Sequence, residues 1–426
     1  MNFIKIIIIS ALFLICLPLE AADSAKYIFL FIGDGMSAAS EFATSSYLYG
    51  EGKKLEWNSF KNKTFAATWS LSCITNSNPS GYDIESAGIT PYPYYLHQNA
   101  EKYFETAPAS DSAASATAMA TGQKTENGHI STTNTGEILT NIFDILNKQK
   151  IYNTCLITTT FFYHATPAAF SAHNDSRHNY KQIAREILSV SKPEIIIARN
   201  EYYYLNDFAE KNGYFTFDSK ELTKNMTFYT NDKKLFITLT NYNVPVPENN
   251  ENNPYMAYRE NDMKFSDIVM FAAGKLLAKK KPFLAVIEQS DIDSACHAND
   301  YYSMVGAVYE LNDAVNKLVS VIKSGKTDMN ESNTLIIVTA DHATGFLRFN
   351  EMLEKGKLPA KMIFTGKNKL LKVDRSIKYK SKNHTNELVG AYGFGKKSEL
   401  LEIYSGSRKI IDNTDIFKIL KNVTGN

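Results

Sequence analysis

Tyr27 to Gly35 read YIFLFIGDG, six apolar residues in a row followed at once by a carboxylate between two glycines. A run that is apolar at every position fits a strand covered on both faces, as parallel strands beneath helices are, and not the alternation of a half-exposed antiparallel strand. Asn153 to Ile157, Phe283 to Ile287 (FLAVI) and Thr334 to Val338 (TLIIV) have the same form. Helical stripes lie between them: Ile138, Ile142, Ile145 and Leu146; Ile183, Ile187 and Leu188; Met304, Val308, Leu311, Val315 and Leu318. Strands alternating with helices predict an α/β sandwich.

In an open parallel sheet the ligand crevice lies beyond the carboxyl ends of the strands. Here the residues just past those ends are metal-ligand types each time. Gly33, Asp34 and Gly35 follow the first strand; Glu288, Asp293 and His297 follow the third; Asp341 and His342 follow the fourth, with His384 downstream beside Asn383 and Thr385. Any one Asp or His is more often a helix cap or a turn residue, so the weight rests on the joint pattern. Three His and three Asp can furnish two sites of mixed nitrogen and oxygen ligation with open positions, which suits catalytic zinc. Glu288 and Thr166 offer only oxygen, as magnesium prefers.

The stretch Asp111 to Gly122, DSAASATAMATG, places a hydroxyl where a helix begins and follows it with small residues. Ser112 is read as the N-cap of that helix and as a nucleophile, in front of N–H groups and a partial positive charge that favour an anion. With no wide apolar stripe, the helix has to lie close against other backbone.

With 426 residues and 44% hydrophobic content the chain can bury a large core. Its 46 basic and 45 acidic residues leave a net charge of +1 and no basic stripe, which argues against nucleic acid as a partner. The cluster Lys279, Lys280 and Lys281 reads as a solvated helix end. Asn2 and Lys5 precede an apolar run from Ile6 to Leu19, with Ala21 and Ala22 behind it, so residues 1–21 are expected to be a cleaved signal peptide. The mature chain is then periplasmic or secreted, without stable membrane insertion. Cleavage leaves Cys73, Cys155 and Cys296, enough for at most one bridge. Residues 22–426 are expected to form one domain, with irregular insertions at about 200–259, rich in Asn, Tyr and Lys, and at about 346–382.

Six blocks together resemble the alkaline phosphatase family: FIGDGMS from Phe31, SDSAASATAMATGQKTENG from Ser110, HATPAAFSAHNDSR from His164, IEQSDIDSACHA from Ile287, VTADHATG from Val338, and NHT from Asn383 followed by GAYGFG. The resemblance implies a three-layer α/β sandwich with a large, mostly parallel central sheet covered by helices on both faces. It also implies a site. Asp293, His297 and His384 would hold one zinc ion, and Asp34, Asp341 and His342 a second. Asp34, Thr166 and Glu288 would hold a third ion, usually magnesium in the family. Ser112 would be the nucleophile, forming a phosphoserine, and Arg177 would grip two phosphate oxygens, oriented by Asp111.

By the same resemblance, two zinc ions about 4 Å apart would stabilise the entering and leaving oxygens of a phosphate monoester. His164 stands where some family members have Asp and others His, which opens the third site to zinc as well as magnesium. Ser294 follows Asp293 where many members carry Lys, His or Trp, and a short hydroxyl cannot make the same water-mediated contact to phosphate. Cys296 is read as a buried structural thiol; His97, His129, His173 and His178 are read as surface or hydrogen-bonding residues. The rival readings are a phosphodiesterase or phosphotransferase on the same scaffold and a non-catalytic phosphate- or metal-binding protein. A homodimer is one assembly open to the chain.

Overall fold

A computed structural model describes residues 24–74, 103–104, 106–221, 233–350, 353–359, 364–365, 369–370 and 376–426. The expected signal segment and His97 lie outside the described residues. The main sheet has ten strands: β1 (Tyr27–Gly33), β2 (Asn62–Ala67), β3 (Asn153–Phe161), β4 (Ile195–Arg199), β5 (Tyr214–Asp218), β6 (Lys234–Thr238), β7 (Phe283–Gln289), β8 (Thr334–Thr339), β9 (Val389–Gly395) and β10 (Ile410–Asp412). Their spatial order is β10-β2-β9-β8-β1-β7-β3-β4-β6-β5. Only β9 runs against its neighbours.

The four strands anticipated from continuous apolar runs, β1, β3, β7 and β8, are adjacent at the centre. Every residue of β1, β7 and β8 is buried. The helices that matter below are α1 (Ala38–Tyr49), α2 (Ser112–Thr121), α3 (Ile142–Gln149), α4 (Ala165–Ser171), α5 (Tyr180–Glu186), α6 (Tyr204–Lys211), α7 (Phe265–Ala278), α8 (Asp291–His297), α9 (Tyr301–Ser324), α10 (Leu400–Ser405) and α11 (Thr414–Val423). They cover the sheet on both faces, as parallel strands require.

In α9 the stripe Met304, Val308, Leu311, Val315 and Leu318 is fully buried, and Asp300 caps the helix by accepting from Tyr302 N and Ser303 N. In α3 the stripe is shorter than the sequence suggests, because Ile138 precedes the helix and is exposed. All ten residues of α2 are buried, and the helix packs against α4 and α11. Nine of its ten residues are Ala, Ser or Thr, whose small side chains permit that close approach, and Met119 is buried in the core.

The stretch 200–259 is less irregular than its composition indicates. Residues 204–211 are helical, and the segments YFTFD and KLFIT become β5 and β6 at the edge of the main sheet. Their Tyr, Phe and Ile supply enough β-forming apolar surface to extend the sheet, although Asn and Lys dominate around them. Val246–Glu248 and Tyr255–Ala257 form a separate ribbon. In the second stretch, Leu347–Phe349 pairs with Ile377–Tyr379 and Phe364–Thr365 with Lys369–Leu370. Cys73, Cys155 and Cys296 are buried and free, so the one bridge that three cysteines allow is not formed. No helix among the described residues is long and apolar enough to cross a membrane.

Leu311 has no exposed surface at the centre of the α9 stripe. Leu311→Ala is expected to cost about 2–5 kcal/mol in equilibrium urea unfolding, with an unchanged slope. A loss below about 1 kcal/mol would remove this residue from the core.

Candidate metal and phosphate site

Strand register assembles the site. Ile32 of β1 is level with Glu288 of β7 and with Thr339 of β8, and Thr158 of β3 is level with Glu288. Asp34 and Asp341 therefore each emerge two residues past matched positions on adjacent strands, with Glu288 between β1 and β3. The turn after β1 depends on Gly35, whose φ is +71°. A Cβ there would lie 2.6 Å from Asp293 Oδ1, while the Gly35 N–H donates to Asp341 Oδ1 at 3.0 Å.

Among the described residues, three groups of side chains converge closely enough to hold a cation: Asp293, His297 and His384; Asp34, Asp341 and His342; and Asp34, His164 and Glu288. In the first group the His297 and His384 Nε2 atoms face each other at 3.1 Å. Asp293 carboxylate oxygens lie 3.2 Å from His297 Nε2 and 3.7 Å from His384 Nε2. His297 Nδ1 meets the Lys382 carbonyl and His384 Nδ1 meets the Ser110 carbonyl at 2.9 Å. A carbonyl only accepts, so each Nδ1 carries the proton and each Nε2 turns a lone pair to the centre. Two lone pairs and a carboxylate meeting at one point repel unless a cation lies between them.

The second group repeats the pattern. His342 Nε2 lies 3.2 Å from Asp341 Oδ2, 3.6 Å from Asp34 Oδ1 and 3.2 Å from Ser112 Oγ. Its Nδ1 is 3.2 Å from Thr344 Oγ1, whose own proton goes to Asp293 Oδ1 at 2.5 Å. Thr344 must therefore accept from Nδ1, which again leaves the Nε2 lone pair facing the carboxylates. A Ser-His-acid triad puts the acid on the far nitrogen from the serine. Here both carboxylates share the serine's side of the ring, the arrangement of ligands around an ion.

In the third group, Asp34 Oδ1, Glu288 Oε1, Thr166 Oγ1 and His164 Nδ1 are all buried without a hydrogen-bond partner among the described residues. Asp341 Oδ2 shares this condition. Unpaired buried polar atoms are costly, and their concentration here fits cation ligation. Glu288 is steadied through its other oxygen by Thr158 Oγ1.

Ser112 opens α2 but does not cap it. The cap is Asp111, whose Oδ1 accepts from Ala114 N at 2.9 Å. This departs from the sequence expectation, and the reason is economy of partners: a capping Ser112 would spend its hydroxyl on the helix, whereas at the first helical position its Oγ is directed to His342. Asp111 Oδ2 accepts from Gly128 N at 2.9 Å and from Arg177 Nη1 at 2.9 Å. One carboxylate thus ties the helix start to the guanidinium. Arg177 Nη2 lies 3.3 Å from His164 Nε2.

The electrostatics reflect this crowding. Burial, then the charges of Asp341 and Asp293, push the Asp34 carboxyl far above its usual range. Burial raises Asp341 to about 8 and Glu288 to about 6. Burial opposes charge on Asp293 too, but without a cation a second proton on His297, held at Nε2 against this carboxylate, together with the neighbouring imidazoles keeps it well below the usual value. Burial, then the Arg177 charge, lowers His164 to about 4; burial and His384 lower His342 strongly.

Cys296 stands outside all three groups, buried with its thiol 4.0 Å from Ser40 Oγ. Ser294 is exposed on α8. His129 Nδ1 lies 3.3 Å from Thr132 Oγ1, and His178 is exposed. Thr344 and Thr158 were not singled out from the sequence. Thr344 lies within the VTADHATG block, but no spacing rule separates a supporting hydroxyl from an ordinary strand threonine.

The alkaline phosphatase of the Antarctic bacterium TAB5 matches with a TM-score of 0.66 at 21% identity, covering 95% of this chain and 99% of that one. The Thermus thermophilus alkaline phosphatase matches with a TM-score of 0.66 at 17% identity, covering 95% and 93%. The Alkaline phosphatase family model matches residues 25–198 and 248–358, and the chain belongs to the alkaline phosphatase family. Alkaline phosphatase 3 of Bacillus subtilis (strain 168) is 30% identical over 331 residues, 76% of this chain but only 62% of that protein's length. Alkaline phosphatase of Escherichia coli (strain K12) is 25% identical over 365 residues, 75% of this chain and 70% of that protein.

Two outcomes follow from the ligand geometry. A carboxyl whose folded pKa is raised stabilises the fold below its unfolded value and loses that contribution as pH rises through the folded value. Without cations, the protein should therefore lose stability as pH climbs through about 6 for Glu288 and about 8 for Asp341. The gap in melting temperature between metal-loaded and chelated protein should be wider at alkaline than at acid pH; a gap independent of pH would contradict cation ligation by these groups. Thr344→Val should lower metal affinity by roughly 10–100-fold in competition with a chelator, since it frees His342 Nδ1 and Asp293 together.

Proposed function

We propose that this chain is a metal-dependent phosphomonoesterase that works through a phosphoserine on Ser112. The observation that carries the reading is the position of Ser112 Oγ, buried at the start of α2 and 3.2 Å from His342 Nε2, on the side of the ring faced by Asp34 and Asp341. Asp293, His297 and His384 would hold one zinc ion, and Asp34, Asp341 and His342 a second. Asp34, Glu288 and Thr166 would hold a third ion, magnesium, or zinc if His164 joins them. A TAB5 alkaline phosphatase in which one His is replaced by Asp has been solved with Mg bound in a site designated M3. When bound, such ions supply Lewis-acid stabilisation of the charge on the attacking and leaving oxygens and favour the serine alkoxide.

The chain's own residues do the rest. Arg177 presents its planar fork to two phosphoryl oxygens, and Asp111 fixes that fork while capping α2. Ser112 Oγ attacks phosphorus in line, the bond to the ester oxygen breaks, and the alcohol departs. Water then attacks from the vacated side, the bond to Ser112 Oγ breaks, and inorganic phosphate leaves as the serine regains its proton. The first turn of α2 directs its free N–H groups and positive end toward the anion. Because these contacts address the phosphoryl group alone, broad activity on monoesters follows. The signal-like segment before Ala22 supports action outside the cytoplasm.

Ser112→Ala should abolish the acid-stable phosphoenzyme and most turnover of an aryl phosphate while metal content stays at the wild-type level. Full activity in that variant would remove Ser112 from the chemistry. The wild-type protein should hydrolyse a monoester much faster than the corresponding diester, and the reverse ratio would favour the phosphodiesterase reading.

A further inference from the structure

Arg177 belongs to an irregular segment, residues 172–179, between α4 and α5. Such a segment does not fix a guanidinium by itself. Toward the 128–132 turn it is held by backbone pairing: Ile130 N donates to Asn174 O at 2.9 Å, Asn174 N to Ile130 O at 2.8 Å, and Arg177 N to Gly128 O at 2.7 Å. Its interior is braced by the Asn174 side chain, whose Oδ1 accepts from Ser176 N at 3.1 Å and Asn179 Nδ2 at 2.7 Å. At its other side stands His173. The imidazole is wedged between two carboxylates on different helices, with Nε2 3.1 Å from Asp144 Oδ2 of α3 and Nδ1 2.8 Å from Glu186 Oε1 of α5. Glu186 Oε1 also accepts the His173 backbone N–H at 3.1 Å, and Asn141 Nδ2 lies 3.4 Å from Nε2.

We propose that His173 is a positioning residue for Arg177: as an imidazolium cross-linking Asp144 and Glu186, it anchors the segment that delivers the guanidinium to phosphate. Both ring nitrogens face acceptors, so only the doubly protonated ring satisfies both. A neutral ring would lose its proton toward one carboxylate and so release one arm of the cross-link, although Asp144 Oδ2 would still accept from Asn141 N at 3.0 Å and Glu186 Oε1 from His173 N at 3.1 Å. Burial opposes the charge, but the hydrogen bonds to Asp144 and Glu186, together with their negative charges, raise the imidazole to about 9. The clamp is thus complete at neutral pH and is lost as pH rises through about 9. The two carboxylates oppose each other across the ring and do not converge on a point, which separates this cluster from the three ligand groups.

The inference rests on the phosphate role of Arg177, so the test uses a double-mutant cycle on the metal-loaded full chain, with inorganic phosphate as the probe. Arg177→Ala should weaken phosphate inhibition strongly. His173→Gln should weaken it roughly tenfold, with a larger change in KM than in kcat and with metal content unchanged. In the Arg177→Ala background His173→Gln should add no more than about twofold. The ratio of the His173→Gln inhibition constant to that of wild type should shrink toward one as pH passes about 9, because the wild type then loses the same clamp. Should the Gln variant fold poorly, Glu186→Gln keeps the histidine and removes one partner, with the same direction expected. Full additivity, or phosphate affinity within twofold of wild type in both clamp variants, would overturn the inference. Phosphate binding unaffected by Arg177→Ala would instead overturn the assignment of Arg177, and with it this role for His173.

Discussion

Carboxylates and imidazole lone pairs pressed into one buried space repel each other. Asp34, Glu288, Asp341 and His342 are buried at the carboxyl edge of the sheet, and the partly buried Asp293, His297 and His384 join them toward solvent. In a medium of low polarity that repulsion is far stronger than in water. The metal-free protein relieves it by taking up protons, which is why burial raises Asp34, Glu288 and Asp341 so far. Cations relieve it without protons and favour the charged form of every ligand. The folded sheet therefore carries stored electrostatic demand at one edge, and much of the surrounding structure serves to keep those groups from moving apart.

That constraint accounts for several features that otherwise look unrelated. Gly35 leaves room for Asp293, because any side chain would collide with its carboxylate. The three Nδ1 atoms are each given a partner, Lys382 O, Ser110 O and Thr344 Oγ1, so that no ring can rotate its lone pair away. Ser115 Oγ donates to the Asp341 carbonyl and accepts from Asn413 Nδ2 at 2.9 Å, tying α2 and the loop before α11 to the ligand-bearing end of β8. The small side chains of α2 let the helix come near enough for that contact.

Around this metal-ligand centre lies a second layer that handles the anion in the proposed reading. Asp111 divides its two oxygens between the helix cap and Arg177, which makes the position of the guanidinium depend on the start of α2. His173 and Asn174 extend the support outward to α3 and α5. The rigidity asked of the phosphate clamp is thus distributed over helices on the sheet's periphery, while the candidate cation-holding groups sit on strand ends, at the start of α4 and on α8, the helices that follow them.

The α/β class, the central strands and the candidate cation-holding residues at their ends, Asp34, Glu288, Asp341 and His342, were legible from the sequence for one reason. Continuous apolar runs report strands buried on both faces, and polar residues immediately beyond them report the crevice. The edge strands β5 and β6 were not, because their short Tyr, Phe and Ile segments are embedded in Asn- and Lys-rich surroundings that read as loop. Nor could spacing show that Asp111, and not Ser112, caps α2, since both residues are good caps and only the neighbours of each oxygen decide between them. The clamp at His173 was equally hidden: Asp144 and Glu186 are distant in sequence from each other and ordinary on their own helices. Sequence determined which chemical groups are available and which strand ends carry them. Tertiary structure alone decided which nitrogen of each histidine faces the centre, which hydroxyl is left free, and which charges meet, because those depend on distances between segments that no local pattern encodes.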